Sequence, residues 1–255
     1  MRLVRYSWEG KIGFGELRDG RVWPWTGSPL TGGTAARDRQ PIAAAALTLL
    51  VPCEPTKVIG IGRNYAEHAA EHAVAVPTAP LIFLKAPSSL LDPGQPIVLP
   101  PLSQQVEHEA ELAIVIGRRC HHVAPDDAAS VILGYTCAND VTARDLQRQD
   151  GQWARGKSFD TFCPLGPWIE TELDVRALEV TCHVQNELRQ RGNTADMVFP
   201  PAYLVSYVSR MMTLEPGDLI LTGTPAGVGP LHPGDTVTVR VAGIGELHNP
   251  VVAGA

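Results

Sequence analysis

The chain has 255 residues, of which 44% are hydrophobic and 19% charged, and its formal net charge is −6 at pH 7. This is the composition of a globular protein large enough to bury a sizeable core, and the negative charge and scattered arginines argue against a nucleic-acid partner. The five cysteines are irregularly spaced and form no CxxC pair, which favours reduced, buried thiols in a cytoplasmic protein over a disulfide framework.

Residues 1–50 are predicted to form a small β-rich N-terminal domain. Arg2–Trp8 and Lys11–Arg18 are strand-like on either side of a hairpin turn, and a third strand-like segment follows at Val22–Trp25. The Ala-rich stretch Ile42–Leu50 is predicted to be a short helix. The longest apolar run of the chain, at about residues 42–51, has about half the length that crosses a bilayer, and the first residues lack an apolar signal-peptide core. We therefore expect neither a membrane span nor a signal peptide.

Residues 51–255 are predicted to form one larger domain with many short strands and few helices. The 22 prolines and 24 glycines of the chain favour a β-dominated α+β fold over a doubly wound sheet. The predicted helices are Asn64–His72, with Asn64 as its N-cap, and Pro201–Met212, whose apolar residues recur near helical spacing. The predicted strands cover residues 57–62, 81–84, 97–99, 109–116, 131–137, 168–170, 180–184 and 236–241.

Glu109 and Glu111 stand two residues apart at the start of an apolar strand. Side chains alternate along a strand, so both carboxylates project on the same side. Crowding two carboxylates at a buried edge costs free energy unless a cation or a shared proton relieves it, and a hard divalent ion prefers such oxygen ligands. A third carboxylate, Asp140, stands near the end of the next strand-like run. The alternative is a solvated strand face.

Two motif matches point to other chemistry and lack the context that it needs. Gly151–Ser158 matches the P-loop pattern GxxxxGK[ST], but a polar segment precedes it and two prolines follow it, whereas a P-loop joins an apolar strand to a helix. His68, Glu71 and His72 match the HxxEH pattern of inverted zinc peptidases, which would require a larger helical domain. We interpret the P-loop match as accidental and disfavour a zinc peptidase.

Six segments, taken in order, resemble motifs of the fumarylacetoacetate hydrolase family in its short-chain branch. They are Gly62–His68, Leu81–Lys85, His108–Leu112, Asn139–Gln147, Gly156–Phe159 and Leu221–Gly227. The resemblance covers residues 57 to about 250, and residues 1–50 match only loosely. It implies that residues 51–255 form a mixed β-roll catalytic domain that binds one Mg²⁺, or Mn²⁺ or Ca²⁺, usually within a homodimer. The implied metal ligands are Glu109, Glu111 and Asp140; Glu107 lies outside the motif.

Further site residues follow from the residue types and from the resemblance. Lys157 carries a point charge able to stabilise an oxyanion. His68 and Glu71 lie three residues apart on a predicted helix, where the carboxylate can orient the imidazole as a base. The resemblance implies substrate-binding roles for four residues, of which the last two would hydrogen-bond the carboxylate end of the substrate: Arg63, Lys85, Gln147 and Thr224.

The resemblance implies an enzyme that acts on small 2-oxo acids through a metal-stabilised enolate. The favoured interpretation is C–C bond cleavage in the catabolism of aromatic compounds, either hydrolysis of an acylpyruvate such as fumarylpyruvate or decarboxylation of an oxaloacetate-like acid. The close alternative is isomerisation of 2-hydroxyhepta-2,4-diene-1,7-dioate, because the sequence is also similar to the isomerase/decarboxylases of homoprotocatechuate breakdown. A non-catalytic metal-binding protein is a remote alternative.

Overall fold

A computed structural model describes residues 1–36, 38–71 and 73–255. Strands hold 42% of the residues and helices 17%, which confirms the prediction of a β-dominated α+β fold. Within these ranges no helix combines the length and the apolar character needed to traverse a bilayer.

The described part of the chain contains twenty strands and four α-helices, with short 3-10 turns between them. The strands are β1 (Arg2–Trp8), β2 (Lys11–Arg18), β3 (Arg21–Pro24), β4 (Ile42–Ala43), β5 (Thr48–Leu50), β6 (Val58–Gly62), β7 (Leu81–Lys85), β8 (Leu90–Leu91), β9 (Ile97–Leu99), β10 (Val106–His108), β11 (Ala110–Ile116), β12 (Ile132–Asn139), β13 (Thr142–Ala143), β14 (Cys163–Glu170), β15 (Glu179–Val184), β16 (Glu187–Asn193), β17 (Leu219–Leu221), β18 (Gly229–Pro230), β19 (Thr236–Val241) and β20 (Gly245–Ala253). The helices are α1 (Ala66–Glu71), α2 (Arg144–Asp150), α3 (Ala154–Lys157) and α4 (Pro201–Ser209).

The strands form three sheets. The largest has 12 strands in the order β4-β3-β2-β1-β14-β12-β11-β17-β6-β7, with β5 paired to β1 and β8 to β14. A five-stranded sheet has the order β16-β15-β19-β20-β9, and a three-stranded sheet has the order β13-β10-β18. The strands of residues 1–50 continue the large sheet, because β1 pairs antiparallel with β14 at Arg2–Glu170 and Leu3–Ile169.

Strand β11 runs through the centre of the hydrophobic core. All seven of its residues are buried, as expected of a near-continuous apolar run covered on both faces. Leu112 and Ile114 pack into clusters on one face, and Ala113 and Val115 pack into a cluster on the other. Antiparallel pairing with β12 and β17 holds the strand on both edges. The two glutamates at its start are therefore anchored to a rigid part of the fold.

The prediction of a helix at Ile42–Leu50 is wrong. This stretch forms β4, a 3-10 turn at Ala44–Ala46 and β5. Ile42 pairs with Val22 of β3, and Leu49 pairs with Tyr6 of β1. Pairing with two strands of the sheet outweighs the helix propensity of the alanines, which is a weak preference by comparison.

Helix α1 begins at Ala66, two residues later than predicted, and Asn64 does not cap it. The Asn64 side chain is fully buried and donates to the carbonyls of Phe199 (3.0 Å) and Thr222 (2.7 Å), while its oxygen accepts from the Phe199 amide (2.8 Å). These bonds tie the segment before α1 to the ends of two distant elements. His72, the last residue of the predicted helix, lies outside the described residues.

Candidate active site

A cavity of about 580 Å³ lies beside the start of β11. Nine of the ten site residues expected from the sequence line it: Arg63, His68, Glu71, Glu109, Glu111, Asp140, Gln147, Lys157 and Thr224. They come from the segment after β6, α1, the β10–β11 junction, the start of β11, the residue after β12, helices α2 and α3, and the loop after β17. The tenth, Lys85, is not among the lining residues and lies behind Asp140.

Three carboxylates converge at the inner end of this cavity. One oxygen from each of Glu109, Glu111 and Asp140 lies within 4.8 Å of the others, and all three side chains are buried. The backbone sets this convergence, because the Asp140 amide donates to the Glu109 carbonyl (2.9 Å) and the Glu109 amide donates to the Asn139 side chain (2.9 Å). The end of β12 is thus fastened against the start of β11.

Two buried lysines hold two of these carboxylates. Lys157 Nζ lies 2.9 Å from Glu109 Oε2 and 2.5 Å from Asp140 Oδ2. Lys85 Nζ lies 2.6 Å from Asp140 Oδ1 and also donates to the Val141 carbonyl (3.2 Å). The structure therefore places Lys85 where it orients Asp140, which differs from the direct substrate contact implied by the resemblance.

Lys157 occupies the end of the P-loop-like match, yet its surroundings are those of the carboxylate cluster. The match is preceded by helix α2 and contains the four-residue helix α3, so no strand leads into it. Burial lowers the pKa of the Lys157 ammonium, but the charges of Asp140 and Glu109 outweigh burial and raise it above its ordinary value. Lys157 is thus a positive charge held at the inner end of the cavity.

Arg144 adds a third buried cation that the sequence prediction did not assign. Its guanidinium contacts the carboxylates of Glu107 (2.7 Å) and Glu109 and donates to Gln147 Oε1 (2.7 Å). Burial raises the pKa of Glu109, but the charges of Lys157 and Arg144 outweigh it and hold that pKa well below its usual range. Glu109 is therefore ionised, and Glu107 shares the guanidinium from outside the ligand cluster.

Glu111 has the opposite electrostatic environment. It accepts a hydrogen bond from the Gly223 amide (2.6 Å), and it forms no ion pair within the described residues. Burial, together with the charges of Asp140 and Glu109, raises the pKa of Glu111 well above its usual value. A hard divalent cation among the three oxygens would relieve this repulsion, and an all-carboxylate donor set suits such an ion. The residues therefore fit a divalent metal of the Mg²⁺ type.

His68 and Glu71 form a hydrogen-bonded pair in the same cavity. His68 Nδ1 lies 3.2 Å from Glu71 Oε2, and the other oxygen of Glu71 accepts from the Gly227 amide (3.1 Å). His68 is 6% exposed. A carboxylate held from its far side can fix the orientation of an imidazole, as a general base requires.

The hydroxyl of Thr224 is oriented by a buried glutamine that the sequence prediction missed. The Gln190 oxygen accepts from the Ala110 amide (3.0 Å), so its nitrogen must be the atom that donates to Pro225 O (2.8 Å) and Thr224 Oγ1 (2.7 Å). The hydroxyl proton of Thr224 in turn goes to the Ala110 carbonyl (2.8 Å). A hydroxyl has one donor and two acceptor positions, so Thr224 has an acceptor position left. The remaining acceptor position suits a ligand hydroxyl, which can donate a hydrogen bond to it, better than an ionised carboxylate, which cannot.

One wall of the cavity depends on two glycines of β6. A Cβ at Gly60 would lie 2.1 Å from the Phe83 ring, and a Cβ at Gly62 would lie 2.7 Å from the Trp153 ring. The two rings contact each other with their centroids 5.3 Å apart. Because Gly60 and Gly62 have no side chains, the two rings have room to form this wall.

Comparison with known proteins gives matches over nearly the whole chain. The family model for the fumarylacetoacetate (FAA) hydrolase C-terminal domain matches residues 57–252, and an Rv2993c-like N-terminal model matches residues 1–52. Human mitochondrial oxaloacetate tautomerase FAHD2A is 45% identical over 219 residues, which are 81% of this chain and 70% of that protein.

Two solved structures are similar over their full length. The 5-carboxymethyl-2-hydroxymuconate delta-isomerase from Mycobacterium smegmatis has a TM-score of 0.92 and 45% identity, with 100% of both chains covered. The 2-hydroxyhepta-2,4-diene-1,7-dioate isomerase from Mycobacterium marinum has a TM-score of 0.91 and 41% identity, with 99% of this chain and 98% of that chain covered.

Proposed function

Because the chain belongs to the fumarylacetoacetate hydrolase family, we propose that it is a divalent-metal-dependent enzyme that moves a proton on 2-oxo acids, interconverting their enol and keto forms. The observation that carries the proposal is the meeting, in one cavity, of a metal-type carboxylate cluster with the His68–Glu71 pair. A proton transfer next to a carbonyl needs both a stabilised oxyanion and an oriented base.

The inner end of the cavity provides the stabilising charge. Glu109, Glu111 and Asp140 would hold a Mg²⁺ ion, which when bound acts as a Lewis acid towards the substrate oxygen that gains negative charge. Lys157 adds a positive charge at the same place, held in position by its contacts with Glu109 and Asp140. Because the lysine is already oriented, little reorganisation is needed when the substrate oxygen becomes negative.

His68 would carry the proton between substrate atoms. Its ring would take the proton from the carbon next to the carbonyl and return it to another atom of the same substrate. Glu71, fixed by the Gly227 amide, keeps the ring oriented and stabilises it while it is positively charged. Thr224 has an acceptor position for the hydroxyl of the enol form, which supports a substrate that passes through that form.

Hydrolytic C–C cleavage is the second candidate, and the sequence alone favoured cleavage. The same His68–Glu71 pair would deprotonate a water for attack on an acylpyruvate, and the family takes its name from a hydrolase. We place proton transfer first because a tautomerase and two isomerases among the relatives are 41–45% identical to this chain, whereas a fumarylacetoacetate hydrolase from Exiguobacterium antarcticum is 38% identical. A homodimer and a cytoplasmic location belong to the proposal as well, supported by the family resemblance and by the cysteine usage.

The test is turnover, with Mg²⁺, of the enol of oxaloacetate, of 2-hydroxyhepta-2,4-diene-1,7-dioate and of acetylpyruvate. We expect enol-to-keto conversion of one or both of the first two, and a loss of about 10²–10⁴-fold in His68→Ala, the range for removal of a general base. Glu67→Ala, on the exposed side of the same helix, serves as the matched control and keeps its activity. Cleavage of acetylpyruvate alone would reject proton transfer in favour of hydrolysis.

A further inference from the structure

The inner end of the cavity is close to charge balance once a dication and one substrate carboxylate are present. Four buried carboxylates and three buried cations meet there: Glu107, Glu109, Glu111 and Asp140, with Lys85, Arg144 and Lys157. One negative charge is left over. A divalent ion adds two positive charges, and the carboxylate of a 2-oxo acid then compensates the remaining one. This end therefore has no positive charge to spare for a second anionic group of the substrate.

Two arginines of the same cavity lie outside this balance. Arg63, after β6, and Arg148, on α2, both line the cavity, and neither forms an ion pair with any carboxylate of residues 1–36, 38–71 and 73–255. Arg148 is exposed and donates to the neutral amide of Gln105 (3.2 Å). The two aspartates of its own helix have other partners, since Asp150 is bound by Arg155 (2.5 Å) and Asp145 accepts from Ser103 (2.6 Å) and the Gln104 amide (2.8 Å). The charges of both lining arginines are thus available to a ligand.

The conformation of Arg63 also suggests a functional position. Its φ is +59°, in the left-handed region that is unfavourable for residues other than glycine and in which functional residues are often found. Its guanidinium lies over the Trp153 ring, 5.8 Å from the centroid, in a cation–π contact that holds the charge at the cavity wall. A guanidinium fixed in this way is suited to binding a carboxylate.

We propose that Arg148, together with Arg63, binds the distal carboxylate of the substrate, so that the site selects 2-oxo dicarboxylic acids over monocarboxylic acids of equal length. The assignment rests on the proposed function, because it takes the first carboxylate and the 2-oxo group to lie at the inner end. The cavity of about 580 Å³ falls within the usual range for small-molecule sites and accommodates a six-carbon diacid.

Calorimetric titration with two six-carbon ligands in Mg²⁺ tests this assignment. The ligands are 2-oxoadipate, which has two carboxylates, and 2-oxohexanoate, which has one. We expect wild-type protein to bind 2-oxoadipate about tenfold more tightly, as is typical of one charge-assisted hydrogen bond. Arg148→Gln should weaken 2-oxoadipate binding and leave 2-oxohexanoate binding unchanged. Arg155→Gln, a neighbouring arginine that pairs with Asp150 and does not line the cavity, should keep the preference.

A charge reversal at the same exposed position gives a second test, which does not depend on detecting a small loss of affinity in Arg148→Gln. Arg148→Glu should bind 2-oxoadipate more weakly than 2-oxohexanoate. Equal affinity of the wild-type protein for both ligands, or equal weakening of both by Arg148→Gln, would overturn the assignment and leave the 2-oxo acid function standing. Binding of neither ligand by the wild-type protein would overturn the assignment and the proposed function together.

Discussion

Replacement of Lys85 by methionine isolates the contribution of a charge that supports the carboxylate cluster without lining the cavity. Lys85 and Asp140 are both fully buried, with Nζ 2.6 Å from Oδ1. Removing one partner of a buried ion pair typically costs 3–5 kcal/mol, because the other charge is left uncompensated. Asp140 keeps its contact with Lys157 (2.5 Å), so we expect the lower end of this range, about 3 kcal/mol of unfolding free energy.

A divalent cation should change this loss. The Lys85→Met site has one positive charge less beside a metal ligand, so it should bind Mg²⁺ more tightly than the wild-type site and gain more stability from it. Urea unfolding in EDTA and in saturating Mg²⁺ measures both quantities. We expect a difference between wild type and variant of about 3 kcal/mol in EDTA and a clearly smaller one in Mg²⁺.

Lys11→Met is the matched control, because Lys11 is an exposed lysine on β2 and is expected to show no such dependence. A loss below about 1 kcal/mol in EDTA, the value of an ordinary surface ion pair, would refute the reasoning. An equal loss with and without Mg²⁺ would show that the cation does not occupy the neighbourhood of Asp140.

Two further predictions concern carboxylates in opposite environments. Glu111→Gln removes the carboxylate whose pKa is raised by burial and by its charged neighbours. Thermal unfolding of this variant in EDTA should therefore occur at an equal or higher temperature than that of the wild type, while the stabilisation by Mg²⁺ is lost. A retained Mg²⁺ effect would contradict the role of Glu111 as a ligand. Burial raises the pKa of Asp145, but hydrogen bonds from Ser103, Gln104 and Leu146 together lower it below its usual value, so its contribution to stability is present above pH ~4 and lost as the pH falls through the folded pKa. Urea midpoints should therefore place Asp145→Asn below wild type at pH 7, with the difference shrinking towards pH 2, and a constant difference would contradict the linkage.

The parts of the site that could be predicted are those that depend on residues close together in the sequence. The alternation of Glu109 and Glu111 at the start of an apolar run predicts two carboxylates on one side, and the structure brings Asp140 to them. Gln190 could not be found in this way. It reaches Ala110 from 80 positions further along the chain, and no periodicity around it distinguishes a buried amide from a surface one.

The errors in the predicted secondary structure also arise from contacts between residues that are far apart in the sequence. Strand β20 was missed because its inward-facing positions include the polar residue Asn249, which breaks the expected alternation. Asn249 is buried because it donates to the carbonyls of Asp92 (3.1 Å) and Gln95 (2.8 Å), two partners that only the tertiary structure provides. The Ala-rich segment that forms β4 and β5 was likewise decided by strands far away in sequence.

The glycines of β6 separate the size of the site from its chemistry. A side chain added at Gly60 or Gly62 would meet first the rings of Phe83 and Trp153, respectively. A larger side chain at Gly62 would displace Trp153 and narrow the cavity without altering any group that transfers a proton. Related proteins can therefore differ in the length of the acid that they accept through substitutions at one or two of these glycine positions. Their reaction stays the same.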